Sequence, residues 1–200
     1  MSDNSTAVAP TVTADQLQGR WHSLVWLVPK FYPAPYELCL KDENSFRWRF
    51  RGSTPTQAAF EQSLVNGVLV QFAIVPNDNP QILTGLVVAY NPSIQDGHCY
   101  VAAMVDRDAG VAAIEGIPLF MWHLYRHWPL RKLYMEAAEF NTTQYESAVR
   151  SGLFKEEGRL LKHHYFDDRY WDMVLYAVYR EDAVAYVDRF PSIFVPNGDR

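Results

Sequence analysis

VDRDAGVAAIEGIPLFMWHLYRHWPLRKLYMEAAEFNTTQYESAVRSGLF, residues 105–154, sets the reading of the whole chain. It opens on the end of a strand and passes through a loop of small residues, Asp106 to Ala113. A helix runs on to His127, a strand covers Leu130 to Glu139, and Phe140-Asn141-Thr142-Thr143-Gln144 starts a second helix ending near Ser151. A loop without bulky side chains directly ahead of a helix lets backbone N–H groups approach an anion, and the helix dipole adds partial positive charge there. The stretch therefore reads as a cradle for phosphates, carried on a strand–helix–strand unit. Pro118 should bend the first helix or delay its regular start.

Working back from this unit, His98 to Val105 alternates as a strand. His98, Tyr100, Ala102 and Met104 fall on one face and Cys99, Val101, Ala103 and Val105 on the other. Val68 to Val75 and Gln81 to Tyr90 flank the dense turn signal Pro76-Asn77-Asp78-Asn79-Pro80 and should pair as an antiparallel hairpin. Further back, Ser53-Thr54-Pro55-Thr56 supplies a cap and an early proline for a helix to Leu64. Phe46 to Phe50 alternates apolar and cationic residues as a strand, Tyr36 to Lys41 reads as a helical turn, and Trp21 to Val28 as a first strand. Forward of the unit, Leu160 to Tyr165 and Met173 to Tyr179 read as the last two strands. The order predicts an α+β fold, a mixed and mainly antiparallel sheet flanked by helices.

Two hundred residues, 48% apolar and 14% aromatic, suit one packed domain over residues 17–188. A net charge of −5 argues against a nucleic-acid partner, which calls for a basic stripe, and mildly suits a cationic or amine substrate. Cys39 and Cys99 form no paired motif, so a reducing cytoplasm is the expected setting. No apolar run is long enough for a membrane span. Residues 1–16 read as a disordered tail without the features of a secretion signal. Residues 189–200, with Phe190-Pro191-Ser192-Ile193-Phe194-Val195-Pro196, read as an extended strap that packs on the surface or supports a homodimer.

The chemistry-bearing groups follow from placement. Glu136 and Glu139 stand in an otherwise apolar strand, where a carboxylate can serve as a base or close a salt bridge at the strand's end. His98 is a further candidate to relay a proton, against the plainer reading of a structural histidine. Asn141 suits a helix N-cap.

After the second helix come Gly152-Leu153-Phe154-Lys155-Glu156-Glu157-Gly158-Arg159-Leu160 and Asp168-Arg169-Tyr170-Trp171-Asp172-Met173-Val174-Leu175-Tyr176. Together with the cradle, this ordered set resembles the GNAT superfamily of acyl-CoA-dependent N-acyltransferases, especially the branch that acetylates ribosomal-protein N-termini. The resemblance spans residues 18–186. It implies that the fourth and fifth strands are parallel and splayed to admit a thioester, with an oxyanion donor among the backbone N–H groups near Val105. It implies a phosphate loop over Arg107, Gly110, Val111, Ala112 and Ala113, degenerate because a valine stands among its small residues. It implies that Asn141 faces the coenzyme arm and that Gln144 fills the slot in which the branch often has a serine, which leaves Tyr145 as a nearby candidate acid for the leaving thiolate. Acceptor recognition would involve Trp48, Phe50 and Arg51. The activity implied is transfer of acetyl from acetyl-CoA to a primary amine in a ternary complex. The degenerate loop keeps open two alternatives, a catalytically inactive binding or assembly module and an enzyme of another acyl-CoA.

Overall fold

The computed structural model describes residues 17–41, 48, 50–110 and 112–189. The expected N-terminal tail and nearly all of the C-terminal strap lie outside them, as does Val111. Strand β1 (His22–Trp26) leads through a 3-10 turn to α1 (Pro33–Leu40), which its two prolines start earlier than the sequence suggests. Helix α2 (Gln57–Ser63) is capped by Thr56, whose hydroxyl accepts from the Ala59 N–H at 3.2 Å, so Pro55 stands just before the helix rather than inside it. Strands β2 (Val68–Pro76), β3 (Gly85–Ser93) and β4 (His98–Val105) form the expected antiparallel meander. Helix α3 (Ala112–His127), β5 (Lys132–Ala138), α4 (Glu146–Arg150), β6 (Lys155–Phe166), β7 (Arg169–Tyr179) and α5 (Arg180–Arg189) follow among the described residues.

The seven strands order as β1-β2-β3-β4-β5-β7-β6, and only the β4–β5 pair is parallel. One face is covered by α3 and α5, which enclose Cys99, Val101, Leu133, Met135, Ala137 and Val174. The other carries α1 and α2 over Ala73, Val75, Leu86, Val88 and Met104. The period-two pattern read for β4 holds, since Cys99 and Val101 enter the first core and Met104 the second. Cys39 and Cys99 are both free and buried, and burial pushes the Cys99 thiol up to about 12.

Two expectations fail for local reasons. Of the strand read at 46–50, Trp48 lies in a bend and Phe50 in a turn, followed by Arg51 and Gly52 at φ +48° and +84°. Two successive positive φ values reverse the chain, so the described residues turn here instead of extending; Trp48 and Phe50 share the α1–α2 core, and Phe46, Arg47 and Arg49 lie outside the described residues. The helix read from Thr142 is a 3-10 segment over Glu139–Tyr145 before one α-helical turn and more, so Asn141 is not its cap; the flanking residue is Ala138. Pro118 stands inside α3, which continues through it to His127.

Two polar anchors fix α3. Glu115 in its first turn is buried, and its carboxylate accepts backbone N–H groups of Arg20, Trp21 (2.9 Å) and His22 (2.7 Å), clasping the segment before β1. At the other end the Arg180 guanidinium donates to the carbonyls of Leu130 (2.8 Å), Trp128 (2.8 Å) and Tyr125. It thereby meets the unpaired carbonyls and negative dipole end of the helix.

Candidate active site

The feature that organises the site is where β4 and β5 stop pairing. Their register runs His98↔Lys132, Cys99↔Leu133 and Tyr100↔Tyr134 and goes no further, although β4 continues to Val105 and β5 to Ala138. The Gly97 carbonyl accepts from Arg131 N on the β5 side at 2.7 Å, while Asp106 N donates to Thr84 on the β3 side at 2.8 Å. Alternation between these two fixed points aims the N–H and C=O groups of Ala103 and Val105 into the gap. Neither has a strand opposite it, so the gap is lined by backbone donors and acceptors held in a rigid row.

The gap is reachable from both faces of the sheet. On the α3 side Cys99 and Val101 are sealed, but Ala103 is exposed. On the opposite side Ala102 is half-buried and Glu136 exposed. The residues form a slot through the sheet, suited to a linear group entering from one face and a second molecule meeting it from the other.

The loop beyond β4 supports this. Arg107–Ala109 make a 3-10 turn started by Asp106, whose side chain accepts from Asp108 N and pairs with Lys41 at 3.4 Å. Gly110 follows at φ +51°, and a Cβ there would meet no atom of the described residues beyond its chain neighbours within 4 Å. Ala112 and Ala113 begin α3, whose N-terminus points its unpaired N–H groups toward this loop. Gly110 with its positive φ thus stands directly ahead of a helix start, with Val111 between them outside the described residues, and backbone N–H groups there could hold a phosphate arm.

The two candidate carboxylates part company. Glu136 follows Tyr134 by two residues and shares its face, on the side away from α3. Glu139 is held at 3.1 Å by Arg159, which also binds Glu156 (3.2 Å) and Asp172 (3.4 Å). Arg159 stands opposite Val174, whose side chain is in the α3-side core, so this cluster belongs to the α3 face. His98 sits at the paired end of β4, five residues or about 16 Å from Ala103 along the strand. Its ring packs edge-on against Tyr134 at 5.3 Å, which fits the structural reading. Tyr145 turns into the α3-side core against Phe154 and Tyr176. Asn141 is half-buried beside the end of β5 and Gln144 exposed. Arg51 lies near His164 of β6, whose imidazole is pulled down to about 4 by burial, by Arg51 and by His163. Of the three acceptor candidates Trp48 is buried in the α1–α2 core, Phe50 is half-buried against it, and Arg51 is exposed.

One group escaped the sequence reading. Tyr90, Tyr100 and Tyr134 stand directly opposite one another on β3, β4 and β5, with ring centroids 5.7 and 5.4 Å apart. They form a half-buried ladder across the sheet at the closed end of the slot, beside Glu136. Each occupied an outward position in its strand's alternation, but only the register brings them into line.

A mixed seven-stranded sheet with one parallel pair splaying at its carboxyl end matches known architecture. This is the fold of the GNAT acetyltransferases. A GCN5-related N-acetyltransferase from Brucella melitensis superposes with a TM-score of 0.68 at 21% identity, over 92% of this chain and 87% of its own. The Vibrio cholerae spermidine N-acetyltransferase in complex with CoA and spermine gives 0.67 at 14% identity, over 82% and 98%. RimL, a ribosomal L7/L12 alpha-N-protein acetyltransferase in complex with CoA, gives 0.65 at 16% identity, over 80% and 94%. Neither the protein-family models nor the curated proteins searched match the sequence. The likeness thus lies in the GNAT fold, including the splay that the resemblance implied.

Proposed function

We propose that the chain is an acyl-CoA-dependent N-acyltransferase that transfers acetyl from acetyl-CoA to a primary amine in a ternary complex. The observation that carries this reading is the slot, in which Ala103 and Val105 present unpaired backbone groups to a gap open on both faces. An extended thioester arm entering from the α3 side would pair with that row as a strand would, its phosphates toward Gly110 and the start of α3, with Asn141 beside it. The amine nitrogen attacks the thioester carbon from the opposite face, and an N–H near Val105 stabilises the oxyanion. The C–S bond then breaks, the nitrogen releases its proton to water, and the thiolate takes up a proton to leave as free CoA. The amine must arrive as the free base, so turnover should rise with pH until the acceptor is neutral. Glu139 and Tyr145, bound elsewhere, would act through positioning, and the exposed Gln144 is the residue nearest the usual serine role.

Calorimetric titration with acetyl-CoA and CoA, followed by thiol release with an amine panel, tests the proposal. Micromolar to millimolar binding and amine-dependent thiol release are expected. No binding at millimolar ligand would remove it, and binding without turnover would leave the binding-module alternative, which the exposed Gln144 in the serine slot favours.

The same reading includes a cytoplasmic setting, supported by two free buried thiols, and no described helix is long and apolar enough to cross a membrane. It also includes a homodimer, supported by the exposed Trp26 (64%), Tyr165 (59%) and Tyr170 (63%). Light scattering that shows a monomer for both the full chain and residues 1–188 would remove the dimer.

A further inference from the structure

The acceptor face of the slot carries one carboxylate whose role the transfer itself does not require. Glu136 is exposed, shares its face with Tyr134, and forms no ion pair among the described residues. Every other carboxylate around it is engaged. Glu157 is bound by Lys132 at 2.6 Å, by Tyr134 at 3.0 Å and by Tyr179, and Glu139 by Arg159 on the far face. Beside Glu136 the tyrosine ladder closes the slot. The Tyr100 phenol is pushed up by burial first and by the Glu136 charge next, which puts the two groups in electrostatic reach. Tyr134 already carries the Lys132 ammonium over its ring at 4.5 Å and gives its hydroxyl to Glu157, so it walls the site, while the unpaired carboxylate and the half-buried Tyr100 phenol are left to receive an ammonium ion through charge, hydroxyl and ring face.

The nitrogen held there is not the one that attacks. An ion pair with a carboxylate favours the protonated amine, whereas the nucleophile must be neutral. The parallel register puts Glu136 level with Ala102, so the unpaired N–H groups of Ala103 and Val105 lie about 3–10 Å further along the strands. We propose, building on the acyltransferase reading, that Glu136 with Tyr100, walled by Tyr134, forms a subsite for a second, cationic nitrogen of the acceptor, making small alkyl diamines the preferred substrate class. A linker of roughly three to six methylene groups spans the separation. Glu136 is then a specificity residue: it sets acceptor affinity and leaves donor binding alone.

The test has a binding arm and a kinetic arm. In the first, 1,4-diaminobutane and n-butylamine are titrated into the protein, with and without saturating CoA, for wild type, Glu136→Gln and Tyr100→Phe. Wild type should bind the diamine on the order of tenfold or more tighter than the monoamine, and Glu136→Gln should erase that difference. Tyr100→Phe keeps the ring and should lose only a few-fold. In the second arm, kcat/KM for the diamine with acetyl-CoA should fall by the same factor in Glu136→Gln through KM, with the monoamine nearly unchanged. Equal affinity for the two amines in wild type, or an undiminished preference in Glu136→Gln, overturns the subsite. Selective diamine binding that needs Glu136 in a protein that fails to bind CoA would uphold the subsite and sink the acyltransferase reading instead. CoA binding with no diamine preference would do the reverse.

Discussion

At the scale of single residues, Gly110 and Glu115 separate ligand handling from folding. A β-branched side chain at φ +51° is strained, yet none of the described residues fills the space at its Cβ, so the main consequence of Gly110→Val falls on whatever approaches that space. CoA affinity should fall about tenfold or more by calorimetry, with a destabilisation of about 1–2 kcal/mol. Glu115 behaves in the opposite way. Its carboxylate is the shared acceptor for the backbone N–H groups of Arg20, Trp21 and His22, and Glu115→Ala would leave the buried His22 N–H and the two part-buried ones without that partner. Urea unfolding should show a loss on the order of 3 kcal/mol, with Glu115→Gln in between, because an amide oxygen replaces only part of the carboxylate's capacity. The sequence displayed Glu115 as a helix glutamate but gave no sign of its partners, which lie more than ninety positions away and are backbone atoms without a side-chain signature. Glu136 and Glu139 looked equivalent for a related reason: three residues apart, they fall on opposite sides of the sheet, and only Arg159 and the register with β7 show which is free.

At the scale of elements, the strand–loop–helix–strand order over residues 105–138 was legible because alternation, small loop residues and an apolar helix repeat all agree there. Such agreement was absent at 46–50, where a bend at Trp48 and a turn from Phe50 through Arg51 and Gly52 have no strand-like geometry behind the apolar–cationic pattern, and at 139–145, where a 3-10 segment has no distinctive side-chain period. The splay of β4 from β5 has no local code, since it depends on what holds the two strands apart at one end and together at the other. Arg180 is part of that hold. Its three carbonyl contacts tie the end of α3 and the connection at Leu130 to the start of α5, directly behind the paired end of β5. Arg180→Met should cost about 2–4 kcal/mol in chemical unfolding, because three part-buried carbonyls lose a charged donor. Arg180→Lys should recover less than half, since an ammonium cannot reproduce the planar fork. A loss below 0.5 kcal/mol in the Met variant would show that water replaces the guanidinium without cost.

At the scale of the whole molecule, two imidazoles make stability depend on pH in a window apart from that of the carboxylates. His123 packs edge-on against Phe72 at 4.9 Å and beside His127, and burial first, then the His127 charge, pulls it from an ordinary 6.5 to about 4. His164 is lowered to about 4 by burial, Arg51 and His163. Both groups prefer the neutral form when folded. The unfolded chain takes up their protons near pH 6.5 and the folded chain only near 4, so between those values the unfolded state binds more protons. Stability should therefore be full above pH 6.5, decline as pH falls through the interval, and level off with respect to these groups below about 4. The lowered carboxylates act later. Glu157, where hydrogen bonds from Lys132, Tyr179 and Tyr134 outweigh the larger single effect of burial, withdraws its contribution only below its ordinary 4.5. Asp172, held by the Lys162 N–H first and by Arg159, does so below 3.8. Melting temperatures between pH 7 and pH 5 thus isolate the histidines. Wild type should lose stability steadily across that range, and His123→Leu combined with His164→Gln should flatten the decline even if the variant is less stable at pH 7. A wild-type profile already flat from pH 7 to 5, or a slope unchanged in the double variant, would mean that solvent reaches both rings well enough to remove the effect of burial.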